Sequence, residues 1–328
     1  MKKILTRLFH HEYLSRSEAQ AVLTNIATGK YNPVQVSSFI TVFNMRPIKA
    51  DELSGFRDAM VELCIPFDLG GRETIDIVGT GGDGKNTFNI STTSAFVIAG
   101  AGYQVTKHGS YGVSSAVGSS NVLMGLGYEF TNEQDKLLAQ LDKANLCFLH
   151  APIFHPAMKE VVPIRKQLGM KSFFNMLGPL VNPGQPTHQL FGTFNLELAR
   201  LYQYILQQDQ REFAVVYALD GYDEISLTGD AKVRMPQGEK QLSPADFGKP
   251  QYTQTALYGG ETVEDAAKVL LAVLNNEATA AQRDVVCANA GLAISVLKPS
   301  QSLVDCVAEA EESIVSGRAL EVLEKLVV

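Results

Sequence analysis

No run of about 18 consecutive apolar residues occurs in this chain of 328 residues, so no segment reads as a membrane-spanning helix. Cysteine is scarce: Cys64, Cys147, Cys287 and Cys306 lie far apart in apolar stretches. That scatter excludes a disulfide framework and zinc-ligand spacing, and fits small buried side chains in a reducing, cytoplasmic compartment. Positive charge is in deficit, with 28 Lys and Arg against 35 Asp and Glu and a formal net charge of −7. A nucleic-acid polyanion is therefore a poor main partner, although backbone amides and a bound cation can still hold a small phosphorylated molecule. Internal repeats and low-complexity linkers are also lacking. Met1-Lys2-Lys3-Ile4-Leu5 is basic then apolar, but Arg7, His10, His11 and Glu12 interrupt it too early for a signal sequence. An amphipathic helix is expected there.

What is abundant is apolar side chain, at 45% of residues, and glycine, whose 27 copies cluster. The length exceeds what one core usually serves, so two domains are expected. Residues 1–65 read as helices: Ser15-Arg16-Ser17-Glu18 is a capping box, Asn32-Pro33 opens a second helix, and residues 49–64 form a third. From residue 75 the pattern changes to short β-rich runs alternating with helices. Strands are expected at Ile75–Val78, Tyr103–Lys107, Cys147–Leu149, His188–Thr193 and Phe213–Leu219, with helices near Thr92–Gly100, Asn121–Leu126 and Glu197–Gln208. This predicts an α/β fold, a small N-terminal helical domain followed by a larger domain with a mainly parallel central sheet flanked by helices. The expected bounds are 1–71 and 72–328. Residues 225–248 read as a hairpin-rich excursion and 262–326 as two or three closing helices. Pro156, Pro163, Pro179 and Pro183 make 155–184 a winding connection, of which 164–184 is expected to return in part to the helical domain.

The richest stretch runs from Val78 through Gly79-Thr80-Gly81-Gly82-Asp83-Gly84-Lys85-Asn86-Thr87-Phe88-Asn89-Ile90-Ser91-Thr92, between an expected strand and an expected helix. Glycines let backbone N–H groups converge on a phosphate, and a helix start adds positive potential. Two familiar patterns match only by accident. Gly79, Gly81 and Gly84 have dinucleotide-fold spacing, but residues 99–107 lack the required acid. Gly79, Gly84 and Lys85 approach a nucleotide P-loop, but Asn86 stands where the metal-touching hydroxyl should be. A second loop, Lys107-His108-Gly109-Ser110-Tyr111-Gly112-Val113-Ser114-Ser115, follows the next strand, and Gly118-Ser119-Ser120 precedes the next helix. Lys107 would supply a point charge, and Ser119 a hydroxyl. Asp223-Glu224 after the strand Phe213–Leu219 is either a solvated acidic turn or a carboxylate pair for a hard cation such as Mg²⁺.

Taken in order, Gly79–Asp83, Asn89–Thr92, Lys107-His108-Gly109, His155–Lys159, Arg165, Leu168-Gly169, Phe174–Pro183 and Asp223-Glu224 resemble the anthranilate phosphoribosyltransferase family over essentially the whole chain. The resemblance implies transfer of phosphoribose from phosphoribosyl pyrophosphate (PRPP) to anthranilate with Mg²⁺, in a homodimer contacting through the helical domain. It implies PRPP-binding positions at Gly79, Gly82, Asp83, Thr87, Asn89, Ile90, Ser91, Thr92, Lys107, His108, Gly109 and Ser119. It implies anthranilate contacts at Gly79, Ser110 and Arg165, and metal ligands at Ser91, Asp223 and Glu224. His108 is the candidate proton acceptor. The chain departs from the family pattern at Ser110, Tyr111, Val117 and Asn121, where asparagine, a basic residue, a polar residue and an acid are usual. Pyrimidine nucleoside phosphorylases share the architecture, but Asp223-Glu224 and Phe174–Pro183 favour the transferase. A nucleic-acid-binding relative should be basic with broken loops, whereas this chain is acidic and keeps Gly79–Asp83.

Overall fold

The computed structural model describes residues 1–112, 117–209 and 211–327. Val113, Ser114 and Ser115 of the second loop, with Ala116, lie outside the described residues. In chain order the elements are α1 (Lys2–Phe9), α2 (Arg16–Ala27), α3 (Pro33–Met45), α4 (Ala50–Leu63), β1 (Ile75–Gly79), α5 (Ile90–Gly100), β2 (Val105–Gly109), α6 (Ser119–Gly125), α7 (Gln134–Ala144) and β3 (Leu146–His150). They continue with α8 (Ala151–Phe154), α9 (Val162–Leu168), α10 (Phe174–Leu177), β4 (His188–Gly192), α11 (Leu196–Gln208), β5 (Glu212–Ala218), β6 (Ala231–Met235) and β7 (Gly238–Leu242). The chain ends with α12 (Val263–Leu274), α13 (Ala280–Leu297), α14 (Leu303–Val315) and α15 (Arg318–Val327).

The helical unit comprises Met1–Phe67 and Ala151–Pro183, so the returning segment begins earlier than residue 164. Two of its helices, α2 and α3, start where the sequence places caps. The Ser15 hydroxyl accepts from the Glu18 N–H, and the Asn32 side chain accepts from the Gln35 N–H with Pro33 at the first helical position. Gly55 allows α4 to lie close against α2, since a Cβ there would strike the Arg16 carbonyl. Phe39, Phe43, Phe56 and Phe173 form the aromatic centre, with Phe56 and Phe173 stacked at 4.5 Å between ring centroids. Phe173 belongs to the returning segment, which is broken by its prolines into short helical turns rather than one helix.

The α/β unit, Asp68–His150 with Gly184–Val328, is built on one seven-stranded sheet in the order β3-β2-β1-β4-β5-β6-β7. The first five strands in that order are parallel, and β6 and β7 are an antiparallel hairpin added at the edge. α5 is buried on all sides except Ser91, as its unbroken apolar and small-residue sequence requires. Four helices close the chain over 263–327 where the sequence reading expects two or three; Gly317 at φ 78° ends one and lets α15 begin at once. α7 is also unanticipated, although Leu137, Leu141 and Ala144 fall at helical spacing and Asn145, at φ 56°, terminates it.

Candidate functional site

Every loop of interest leaves the carboxyl end of a parallel strand, the end at which ligands bind in open α/β sheets. β1 lies between β2 and β4, so the connections that follow β1 and β4 separate there. After Gly79 the chain turns through Gly81, Gly82 and Gly84 at φ 64°, 78° and 77°, left-handed values that glycine adopts readily. Gly79 and Gly192, paired in register, are required for a different reason. A Cβ on Gly79 would strike the Asp223 carboxylate, and one on Gly192 would strike the Asp223 backbone carbonyl. The acidic turn after β5 thus lies directly over the ends of β1 and β4.

That approach joins two motifs separated by 142 positions in sequence: the Gly81 N–H donates to Asp223 Oδ2 at 2.6 Å. Glu224 Oε1 accepts from the Ser91 N–H at the start of α5, at 3.4 Å. Its Oε2 is buried without a hydrogen-bond partner among the described residues. Burial, reinforced by the neighbouring Asp83 charge, pushes Asp223 up to about 7. Burial and the Asp223 and Asp83 charges push Glu224 well above its ordinary value, against the opposing Ser91 N–H and Lys107. Two desolvated carboxylates with an unpartnered oxygen are what a divalent cation would relieve. Among the described residues no three His, Cys, Asp or Glu side chains converge as a metal cluster. A cation here would therefore take two carboxylates, with substrate phosphate and water completing its shell, as Mg²⁺ commonly does.

The first loop is secured along its length. The Lys85 N–H donates to Asp83 Oδ1 at 3.0 Å, and the Lys85 ammonium lies over the Tyr222 ring rather than facing a phosphate as a P-loop lysine would. Thr87 bridges to Tyr258, and the Gly259 N–H donates to the Asn86 carbonyl at 3.1 Å. Asn89 does not cap α5 with its side chain; its Nδ2 donates instead to the Val117 carbonyl at 3.2 Å, tying the first loop to the second. Ile90 lies in the core with its N–H engaged by the Phe88 carbonyl at 2.7 Å, and Thr92 is also buried.

In the second loop the Ser110 carbonyl accepts from the Ser120 N–H at 3.1 Å and from Ser119 Oγ at 3.3 Å. Asn121 Oδ1 accepts from both the Gly112 and Gly118 N–H groups, which draws the two ends of the loop together. Asparagine at this departure position thus has a local structural task. Gly109 must lack a side chain because a Cβ would meet Ser119 Oγ and the Phe148 ring. Lys107 is buried at 3% exposure, and its Nζ donates to the Ile77 carbonyl at 2.6 Å. Burial lowers its pKa, while the Asp76 and Glu224 charges act the other way. His108 is buried, and its N–H donates to Asp76 Oδ1 at 3.2 Å. Asp76, a fully buried acid inside β1, is one residue the sequence reading passes over; Gly192, Gly259 and Asn289 are others. Asp76 has a signal, a carboxylate in an apolar strand, whereas the glycines reveal themselves only through tertiary contact.

Within the helical unit, Arg165 lies on α9 with its guanidinium 5.2 Å from the Phe174 ring centroid and Nη2 donating to Asn175 Oδ1 at 3.3 Å. It has no carboxylate partner among the described residues, and its burial disfavours the charged form. A guanidinium held over an aromatic ring and tied to an amide oxygen suits a planar carboxylate.

His150 closes β3, with Phe130 stacked on its ring at 4.2 Å and Nδ1 2.8 Å from Ser120 Oγ. Burial pushes His150 and, in the helical unit, His155 down to about 4 from 6.5. Each therefore takes up a proton in the unfolded chain before it does so in the folded one. Their contribution to stability is fully present above pH 6.5 and is lost as the pH falls through about 4. Relative to the wild type, His150→Phe is expected to make the urea midpoint fall less, or rise more, as the pH is lowered from 6.5 to 5; an unchanged slope would contradict the assignment to His150.

The fold and site together define a class: an α/β protein with a glycine-rich turn and a buried carboxylate pair at the carboxyl ends of a parallel sheet, in a chain that also carries a helical unit. Known families agree. The glycosyl transferase family a/b domain matches residues 71–320, and the glycosyl transferase family helical bundle domain matches residues 2–64. The anthranilate phosphoribosyltransferase of Cytophaga hutchinsonii is 56% identical over 327 residues, covering 100% of both chains. That of Bacteroides thetaiotaomicron is 54% identical, over 100% of this chain and 98% of its own. The structure of anthranilate phosphoribosyltransferase from Thermus thermophilus superposes with a TM-score of 0.92 at 32% identity, covering 98% of each chain. The Saccharomyces cerevisiae enzyme in complex with PRPP and Mg gives 0.92 at 28% identity, over 98% of this chain and 95% of its own. The chain belongs to the anthranilate phosphoribosyltransferase family.

Proposed function

We propose that this chain transfers the 5-phosphoribosyl group of PRPP to the amine of anthranilate, giving N-(5-phosphoribosyl)anthranilate and pyrophosphate, a step of tryptophan biosynthesis. The observation that carries this reading is the junction of a glycine loop built for phosphate with a buried carboxylate pair, through the Gly81 N–H and Asp223. Displacing pyrophosphate from C1′ leaves positive charge on the ribose and negative charge on the departing oxygens, so stabilising the leaving group is the main catalytic task. Gly79, Gly82, Asp83 and the hydroxyl of Ser91 are assigned to the diphosphate, with Thr87, Asn89, Thr92, Gly109 and Ser119 completing the PRPP site, while the Gly81 N–H holds Asp223. Lys107 acts from within the fold, where the Asp76 and Glu224 carboxylates oppose the effect of burial on its amine.

Ser91, Asp223 and Glu224 would hold Mg²⁺, and the unpartnered Glu224 Oε2 supports that assignment. When bound, the ion supplies Lewis-acid stabilisation of the pyrophosphate oxygens. Arg165 is assigned to the anthranilate carboxylate, with Gly79 and Ser110 as the further acceptor contacts. The amine of anthranilate is uncharged at neutral pH, so no strong base is needed to activate it. A homodimer formed through the helical unit completes the reading; that unit exposes Phe9, Val34 and Met45.

Fluorescence-monitored consumption of anthranilate with PRPP tests the proposal. Turnover that requires Mg²⁺ is expected, and phosphorolysis of uridine or thymidine in its place would overturn the reading. Because serine reaches less far than asparagine and lacks its amide, Ser110→Asn is expected to lower KM for anthranilate about two- to tenfold, the range one modest hydrogen bond supplies. An unchanged or raised KM would remove position 110 from the acceptor site.

A further inference from the structure

The turn carrying Asp223 and Glu224 is irregular. Between β5 and β6 it passes through Leu227, a buried residue at φ 56°, in the left-handed region that favours glycine. Such a backbone persists only where its surroundings hold it in place. Several groups do so. The Asp220 carboxylate accepts from the Thr228 and Ser226 hydroxyls, and the Tyr252 N–H donates to the Leu227 carbonyl at 2.8 Å. The most direct restraint comes from α13. The Ile225 N–H donates to Asn289 Oδ1 at 3.0 Å, while Asn289 Nδ2 donates to the Ile225 carbonyl at 2.8 Å and to the Val285 carbonyl at 2.8 Å. One amide side chain, 3% exposed, thus fixes both backbone groups of the residue next to Glu224.

We propose that Asn289 is a positioning residue for the carboxylate pair, holding Asp223 and Glu224 in the spacing a divalent cation needs; this rests on the metal reading above. α13 is long and packs among buried side chains, so it provides a rigid mount for the clamp. The peptide after Glu224 cannot rotate freely without breaking the hydrogen bonds that Asn289 makes to Ile225, and rotation there would turn the Glu224 carboxylate away from Asp223. Asn289 touches neither PRPP nor anthranilate in this scheme, so its loss should weaken the grip on metal and leave the acceptor side unaffected.

The test compares Asn289→Ala with Leu292→Ala, which removes apolar volume from the same helix but no hydrogen bond to Ile225. Binding of Mn²⁺ in the presence of pyrophosphate is read by electron paramagnetic resonance, beside the Mg²⁺ concentration for half-maximal turnover and KM for anthranilate. Asn289→Ala is expected to weaken Mn²⁺ binding, and to raise the Mg²⁺ requirement, about tenfold relative to Leu292→Ala, as loss of a residue supporting metal ligands typically does. KM for anthranilate should stay at the wild-type value. Equal Mn²⁺ affinity in the two variants would overturn the proposal. If Asn289→Ala does not fold, Asn289→Asp, which keeps the acceptor for the Ile225 N–H, is measured under the same criteria. Failure of the unaltered protein to bind Mn²⁺ with pyrophosphate would refute the metal reading itself, a separate result.

Discussion

Asp223→Asn combined with Glu224→Gln is expected to lower turnover by at least about 10²–10³-fold while making the metal-free protein more stable at pH 8. The loss of activity follows from removing both carboxylates assigned to the cation that balances the leaving pyrophosphate; deleting one group aimed at transition-state charge commonly costs that much. The gain in stability follows from where those carboxylates sit. Burial and the repulsion of neighbouring acids raise Asp223 to about 7 and Glu224 above its ordinary value. A carboxyl whose folded pKa is raised contributes stability that is fully present below its unfolded value, 3.8 for aspartate. That contribution is lost as the pH climbs through about 7. At pH 8 wild-type Asp223 is forced to ionise inside the fold, whereas an amide in its place carries no such penalty. The amide oxygen introduced by Asp223→Asn can still accept from the Gly81 N–H, so the turn keeps that tie. Steady-state assays and thermal unfolding at pH 6 and 8 check both halves. A near-normal kcat would remove the pair from catalysis, and a lower unfolding temperature at pH 8 would contradict the burial argument.

Gly192→Ala should be nearly as damaging, although Gly192 closes a strand and carries no chemistry. A single methyl group there would meet the Asp223 carbonyl and crowd the Gly79 Cα, so either β4 or the acidic turn must shift. Overpacking of this kind costs about 1–3 kcal/mol, and a displacement approaching 1 Å at a catalytic group can cost on the order of 10² in rate. Urea unfolding and turnover should therefore fall together. Gly79→Ala should act mainly on turnover, because its methyl group would meet the Asp223 side chain, which can rotate away at the expense of its bond to the Gly81 N–H. Wild-type activity in Gly192→Ala would mean that Asp223 is not held over the ends of β1 and β4.

The contrast between these glycines shows what a sequence discloses and what it withholds. Gly81, Gly82 and Gly84 advertise left-handed turns in a local run, and the helix that follows is legible from its apolar sequence. The Asp223-Glu224 pair looks like an ordinary acidic turn until the sheet order places it against Gly79. Asn289 gives no sign at all, since an amide in an apolar helix acquires meaning only from the backbone opposite. Lys107 is legible as a charge near phosphate, but not as one turned inward to the Ile77 carbonyl, because a strand residue's facing depends on which layer covers it. Among the helices, the polar face of Gln134–Ala144 masks a periodicity that is present. The closing segment hides its breaks in single cap residues, Thr279, Ser302 and Gly317.

Isothermal titration of PRPP in the presence of Mg²⁺, repeated with pyrophosphate as competitor and with the protein carrying Asp223→Asn and Glu224→Gln, measures the grip on the diphosphate directly. Saturable heat that needs Mg²⁺, is displaced by pyrophosphate and disappears in the double variant is the predicted result. Binding that ignores the metal and survives the loss of both carboxylates would contradict it.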